Sequence, residues 1–185
     1  SMFSAHPNLI ILGLSDNRIT GTLPSEGIGL ASSLRAVYLG RNKLRGTIPT
    51  SLGDLTRLGM LDLRRNRLSG SLPEGAFGGM RQLKELDLAR NRLGGPLPAS
   101  LGNATELEVL LLEKNRFTGQ VPRSWARLTR LDKLLLANNS ITGDVGFICE
   151  NSDTSMRVFL ADCHGLDSEV TCECCTACCS DEKGP

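Results

Sequence analysis

Seven cysteines are the most reactive groups in this chain, and all of them fall between Cys149 and Cys179. Their spacing is C-x13-C-x8-C-x-C-C-x2-C-C. Thiols this dense either cross-link the chain or hold a tetrahedral zinc ion. The remaining candidates for chemistry are sparse. His6 and His164 stand near opposite ends. Asp62 and Asp87 form a carboxylate pair, but on a sheet with no implied pocket to shift their pKa values. No serine sits in a nucleophile elbow and no P-loop is present. Gly27-Ile28-Gly29 lacks the third glycine and the strand–helix context of a dinucleotide site. The sequence therefore predicts neither an enzyme nor a bound cofactor or metal, and points instead to a surface that binds.

The elements that must carry such a surface come from an internal repeat, which is sought before local structure. Asparagines recur at 17, 42, 66, 91, 115 and 139, at intervals of 24 or 25 residues. Each lies in one sixteen-residue frame that begins at Leu9, Leu34, Leu58, Leu83, Leu107 or Leu131. Frame positions 1, 4 and 6 are apolar, as in Leu83, Leu86 and Leu88. The alternation at 4 and 6 is strand periodicity, so each copy predicts a short strand that buries its apolar side only by stacking on its neighbours. The asparagine at position 9 is placed to bond backbone groups left unpaired by the turn off the strand, which makes a ladder through the stack. Glycine at position 13 suits a positive φ. The apolar–proline pair at 15–16 (Leu23-Pro24 through Val121-Pro122) opens an outer helical turn such as Thr50–Leu55. Trp125 takes the place of Leu52 and Leu101 in that turn and is assigned to packing. The sixth copy has Val145-Gly146 instead, as a last repeat meeting a cap should.

The frame L-x-x-L-x-L-x-x-N-x-L-x-G-x-I-P resembles the plant-type leucine-rich repeat family over six copies. The resemblance implies an α/β repeat fold: a right-handed solenoid with a concave parallel β-sheet, short outer turns or 3-10 helices, and a disulfide-rich C-terminal cap. It also implies an ectodomain of a cell-surface receptor or co-receptor, on the extracellular side of the plasma membrane or secreted. Such a module binds a peptide or protein, with a co-receptor as a further partner. A secreted adhesion or enzyme-inhibitor module is the alternative, and an intracellular scaffold with a zinc-binding tail the third reading. The segment Thr171-Cys-Glu-Cys-Cys-Thr-Ala-Cys-Cys179 resembles the tails of diatom and algal members.

Composition agrees. A net charge of +1 and 4% aromatics leave neither the field nor the stacking groups for nucleic acid. Apolar runs such as Val109–Leu112 are far too short to span a bilayer, so a membrane enters only through a segment outside this sequence.

The expected organisation is residues 1–8 as a short N-terminal cap or truncated start, 9–148 as six repeats, and 149–185 as a cysteine-rich cap and tail. Disulfides are expected to pair Cys149 with Cys172 and Cys163 with Cys174. An odd cysteine count predicts one thiol that is free, shared with another chain, or partnered in a continuation of this one.

Frame positions 3, 5 and 7 face outward from each strand and vary between copies. They place Tyr38 at an exposed position, with Met60, Asp62, Arg64, Glu85, Asp87, Leu111 and Glu113 as the concave binding set. Neighbouring strands lie about 4.8 Å apart, so Asp62 and Asp87 should be close, with Arg64 and Lys84 as partners. Positions 8 and 10 gather Arg41, Arg65, Arg90 and Lys114 with Arg18, Lys43, Arg67, Arg92 and Arg116 along one basic edge. That edge is either a solvated flank or a dock for an acidic peptide, sulfated glycan or partner domain. Asn103-Ala-Thr105 and Asn138-Asn-Ser140 are glycosylation sequons, and Asn103 in an outer loop is the better acceptor.

Overall fold

A computed structural model of the chain describes residues 6, 8–150, 156–162, 170–172 and 174–178. Each copy of the frame folds into one coil with two short strands. Frame positions 3–5 form the front strands: β1 (Ile11–Gly13), β3 (Ala36–Tyr38), β5 (Met60–Asp62), β7 (Glu85–Asp87), β9 (Val109–Leu111) and β11 (Lys133–Leu135). Positions 10–13 open the flank strands: β2 (Thr20–Thr22), β4 (Lys43–Gly46), β6 (Arg67–Gly70), β8 (Arg92–Gly95), β10 (Arg116–Gln120) and β12 (Ser140–Asp144). All front strands pair in parallel with the coils before and after, and the flank strands do the same in a second sheet. This is the expected leucine-rich repeat solenoid, with the front sheet as its concave face.

The front strands are short because the chain turns off three residues later through a left-handed residue. Frame position 8 has φ between 51° and 60° in all six copies, at Asp16, Arg41, Arg65, Arg90, Lys114 and Asn138. A non-glycine side chain there costs about 1 kcal/mol or more. The bend nevertheless keeps the ladder going, since the position 8 N–H of each of the first five copies donates to the next coil, as in Arg65 N–H to Ala89 O at 2.9 Å. Left-handed arginines were not visible in the sequence pattern. The positive φ at position 13 was, and Gly46, Gly70 and Gly95 hold φ of 75–81°.

The asparagine ladder forms as expected. Asn66 Oδ1 accepts the Leu44 N–H of the preceding coil at 3.0 Å, while its Nδ2 donates to Leu39 O at 3.0 Å and Leu63 O at 3.1 Å. Asn42, Asn91, Asn115 and Asn139 repeat this bridge. Apolar residues at positions 1, 4, 6, 11 and 15 are buried from the second copy on, for example Leu83, Leu86, Leu88, Leu93 and Leu97, whereas Leu9, Leu14 and Ile19 of the first copy are half-buried. Each buried one contributes about 1.5–3 kcal/mol by leaving water. Pro49, Pro73, Pro98 and Pro122 precede 3-10 turns at Thr50–Asp54, Glu74–Ala76, Ala99–Asn103 and Arg123–Arg127. Trp125 is fully buried, and its indole N–H donates to Pro98 O at 3.0 Å.

The front sheet runs on past the sixth frame. β13 (Val158–Ala161) pairs with β11, and β15 (Ala177–Cys178) with β13, while β14 (Val170–Thr171) joins β12 in the flank sheet. Between them, α1 (Phe147–Glu150) buries Phe147 and Ile148. The cysteine-rich segment is thus threaded by the same stacking as the repeats, and this corrects the expected pairing. Cys149 bonds Cys174, and Cys172 bonds Cys175. β14 carries the chain alongside β12, and the turn that follows folds Cys172 back onto Cys175 while Cys174 meets α1. The 25-residue loop closed by Cys149–Cys174 stabilises the cap by about 3 kcal/mol in a chain-entropy account. Cys163 and the N-terminal residues 1–5 and 7 lie outside the described residues. No helix among the described residues is long and apolar enough to cross a membrane.

Candidate functional site

The concave sheet brings the acidic candidates together. Asp62 on β5 and Asp87 on β7 are in direct register. Each carboxylate accepts the N–H two residues on: Asp62 from Arg64 at 3.0 Å, Asp87 from Ala89 at 3.0 Å. These bonds tie the end of each strand to the bend that follows. Gly40 in the preceding coil makes room for the Asp62 carboxylate, because a Cβ there would stand 2.7 Å from both Oδ atoms. Arg64 spans the pair, with Nε 3.4 Å from Asp62 Oδ2 and Nη1 3.5 Å from Asp87 Oδ2.

Asp87 is only 2% exposed. Burial pushes its pKa up to about 6, against the Ala89 N–H that favours the charged form, and Asp62, then Glu113, add repulsion that Arg64 partly offsets. The expectation that an open sheet offers nothing to shift a carboxylate is corrected at Asp87. Side chains on adjoining strands of a curved sheet crowd the central one, and the pattern of one strand cannot show that. Glu113 is half-buried, and its carboxyl is also held above the usual range, by burial first, against the Arg90, Lys133 and Lys114 charges. Its Oε2 is buried with no hydrogen-bond partner among the described residues.

Two other expectations change. Lys84 does not reach the aspartates; its Nζ pairs with Glu108 at 3.3 Å on the rim. Tyr38 is half-buried rather than exposed, and its hydroxyl donates to Met60 Sδ at 3.1 Å. Tyr38 and Met60 therefore form one joined patch beside the acidic centre, with Glu85 half-buried next to Met60 in the same column.

On the other side of the acidic centre lies an apolar column. Leu111 is in register with Leu135, and Leu135 with Leu160 of β13. All three are half-buried. Sequence reasoning missed Leu160 because it treated the cysteine-rich segment as a separate cap. Val158 to Ala161 is apolar throughout, so the alternation of buried Phe159 and Ala161 with half-buried Val158 and Leu160 exists only in the fold.

The basic edge is solvent-exposed at Arg41, Arg65, Arg90, Lys114, Arg67 and Arg92. The two rows differ in origin: position 8 residues project from the left-handed bend, and position 10 residues open the flank strands. The flank sheet is staggered by two residues per coil, so Arg45 stands level with Arg67. Arg45 is therefore a further member of this edge that a column-by-column reading of the frame leaves out.

Comparison with known proteins follows this geometry. A leucine-rich repeat family model matches residues 32–93, and a second leucine-rich repeat model matches residues 8–30. A crystal structure of a pollen receptor kinase 3 is 31% identical, with a TM-score of 0.70, over 78% of this chain and 70% of that one. The chain belongs to the leucine-rich repeat family.

This leucine-rich repeat chain is also similar to the ectodomain of the Arabidopsis thaliana membrane receptor kinase GASSHO1/SCHENGEN3, solved in complex with Casparian strip integrity factor 2. That match has 38% identity and a TM-score of 0.77, and covers 80% of this chain and 18% of that one. The receptor-like serine/threonine-protein kinase GSO2 of Arabidopsis thaliana is 45% identical over 51 residues, 28% of this chain and 4% of that protein. The chain thus spans a small fraction of these two receptors. Within the leucine-rich repeat frame, the sequon residue Asn103 is exposed at the end of an outer 3-10 turn, where its Oδ1 accepts from Arg127 Nη1 at 3.2 Å. Asn138 is one of the left-handed residues, and is half-buried beside the ladder.

Proposed function

We propose that this chain is an extracellular ligand-binding module that recognises a peptide or protein across its concave sheet. The observation that carries the reading is the chemical segregation of that sheet. A constant frame holds a Tyr38–Met60 patch, an acidic centre of Asp62, Glu85, Asp87 and Glu113 around Arg64, and an apolar column of Leu111, Leu135 and Leu160. Half-buried leucines in register on an open face gain by being covered, and a carboxyl with a buried, unpaired oxygen gains by meeting a donor. An extended peptide lying across successive strands meets all three zones.

Support comes from similar proteins whose structures contain ligands: GASSHO1/SCHENGEN3 with Casparian strip integrity factor 2, PEPR1 with AtPEP1, and HAESA with the peptide hormone IDA and the co-receptor SERK1. Their membrane-receptor setting supports a module outside the cell, for which we propose Asn103 as the glycan acceptor and the basic edge as the contact for a second protein.

The test is an interaction screen of this chain against extracellular domains and secreted peptides, followed by variants of the binding face. Leu111→Lys with Leu135→Lys should lower affinity for the partner found by at least tenfold, as should Tyr38→Ala with Asp87→Ala. Thr56→Ala, exposed after an outer turn, should leave it unchanged. Unaltered affinity in both double variants would place binding elsewhere.

A further inference from the structure

The rim where the front strands begin follows a rule of its own. Charged side chains there pair with the equivalent position one coil on. Lys84 meets Glu108, Arg130 meets Glu106, and Arg157 meets Asp132 through bonds of 2.6 and 2.5 Å. The rule breaks at two neighbouring rungs. One coil beyond Arg35 stands Gly59, and one coil beyond Arg57 stands Gln82. Neither arginine joins an ion pair among the described residues.

This double omission leaves a cavity of about 360 Å³ lined by Arg35, Arg57, Gly59, Gln82, Lys84 and Glu106. Glycine at 59 is not imposed by the backbone: its φ is not positive, and a Cβ would meet only Arg35 O at 3.5 Å and Gln82 O at 3.7 Å. The notch therefore has room for a side chain that this sequence leaves out. Lys84 and Glu106 are already satisfied by Glu108 and Arg130, so the uncompensated charge belongs to the two guanidiniums. Each guanidinium presents parallel N–H donors that fit two oxygens of one group, and the Gln82 amide adds a neutral donor.

We propose that this notch binds a single oxyanion group, a carboxylate, sulfate or phosphate, which occupies the place of the missing acidic rung. The site is separate from the acidic centre and from the basic edge, and stands whether or not a peptide crosses the concave sheet.

The experiment is a titration of the intact chain with sodium sulfate, phosphate or acetate, each at constant ionic strength against chloride. It is read by NMR at the Gly59 amide and the arginine Nε–H signals. Saturable shifts are expected at Gly59, Arg35 and Arg57, with a Kd on the order of 1 mM because the guanidiniums remain solvated. Arg92 and Arg116 on the flank should drift without saturating. Saturation by acetate alone assigns a planar carboxylate, and saturation by sulfate or phosphate a tetrahedral group. Arg35→Gln and Arg57→Gln should each weaken binding about tenfold. Gly59→Glu supplies the rung from within and should abolish saturation while raising the melting temperature. Uniform response across all arginines, or saturation that survives Gly59→Glu, overturns the proposal.

Discussion

Asp62 and Asp87 lie opposite each other on adjacent parallel strands, and Arg64 touches both carboxylates. Two like charges in register repel unless something offsets them. Here the offset is partial, because Asp62 is half-buried and Asp87 beside it is almost wholly buried, while Arg64 itself stays exposed.

That asymmetry predicts a pH dependence of stability. The Asp87 pKa in the folded chain is about 6, above its value in an unfolded chain. Its stabilising contribution is therefore full below pH ~4 and is lost as pH rises through about 6. Asp87→Asn keeps an oxygen for the Ala89 N–H and removes the charge. Its melting temperature should exceed that of the native chain at pH 7.5 and match it near pH 4. The difference at pH 7.5 should correspond to about 3 kcal/mol or less. Equal melting temperatures at both pH values would show that Asp87 titrates normally.

Arg64 restrains the same titration. Arg64→Gln removes the cation shared by both carboxylates, so the Asp87 pKa should move further up, and NMR titration of its carboxyl carbon should show it. Asp62→Asn in that background should bring it back down, since repulsion from Asp62 is one of the causes of the shift. A pKa that ignores Arg64 would mean burial alone sets it.

Position along the stack should decide the worth of each asparagine. Asn66→Ala strands the Leu44 N–H inside the coil, at about 1–3 kcal/mol before relaxation, and takes one of two donors from Leu39 O and Leu63 O, which keep Asn42 Nδ2 and Asn91 Nδ2. Urea denaturation should show a loss of about 1–3 kcal/mol. Asn17 is exposed and bonds only Leu14 O and Ser15 O in its own coil, so Asn17→Ala should cost less than about 1 kcal/mol. Equal losses would remove the ladder as the source of the effect.

The left-handed bend offers a test of opposite sign. Arg65 holds φ at 51°, a region that asparagine tolerates and β-branched residues avoid. Arg65→Asn should be neutral or stabilising by up to about 1 kcal/mol, and Arg65→Ile destabilising by more than about 1 kcal/mol. Thermal denaturation of both variants would check the order.

The sequence by itself determined the coil. Its 24- or 25-residue period named the buried leucines, the asparagine ladder, the position 13 glycines and the proline-led turns. Each of those depends on local conformation and on a neighbour that is a copy of itself, so one frame contains the answer. It also chose the residues of the acidic centre correctly as neighbours, since equal frame positions must stack.

The tertiary structure decided whatever depends on how unlike residues meet between coils. Burial of Asp87, the Tyr38–Met60 bond, the position of Lys84 on the rim and the gap at Gly59 each involve different residues at adjacent rungs, which no frame can encode. The cap belongs to the same class. Cys149–Cys174 and Cys172–Cys175 follow from strands that continue the sheet with little of the repeat signature, so pairing was set by stacking in space and not by spacing along the chain.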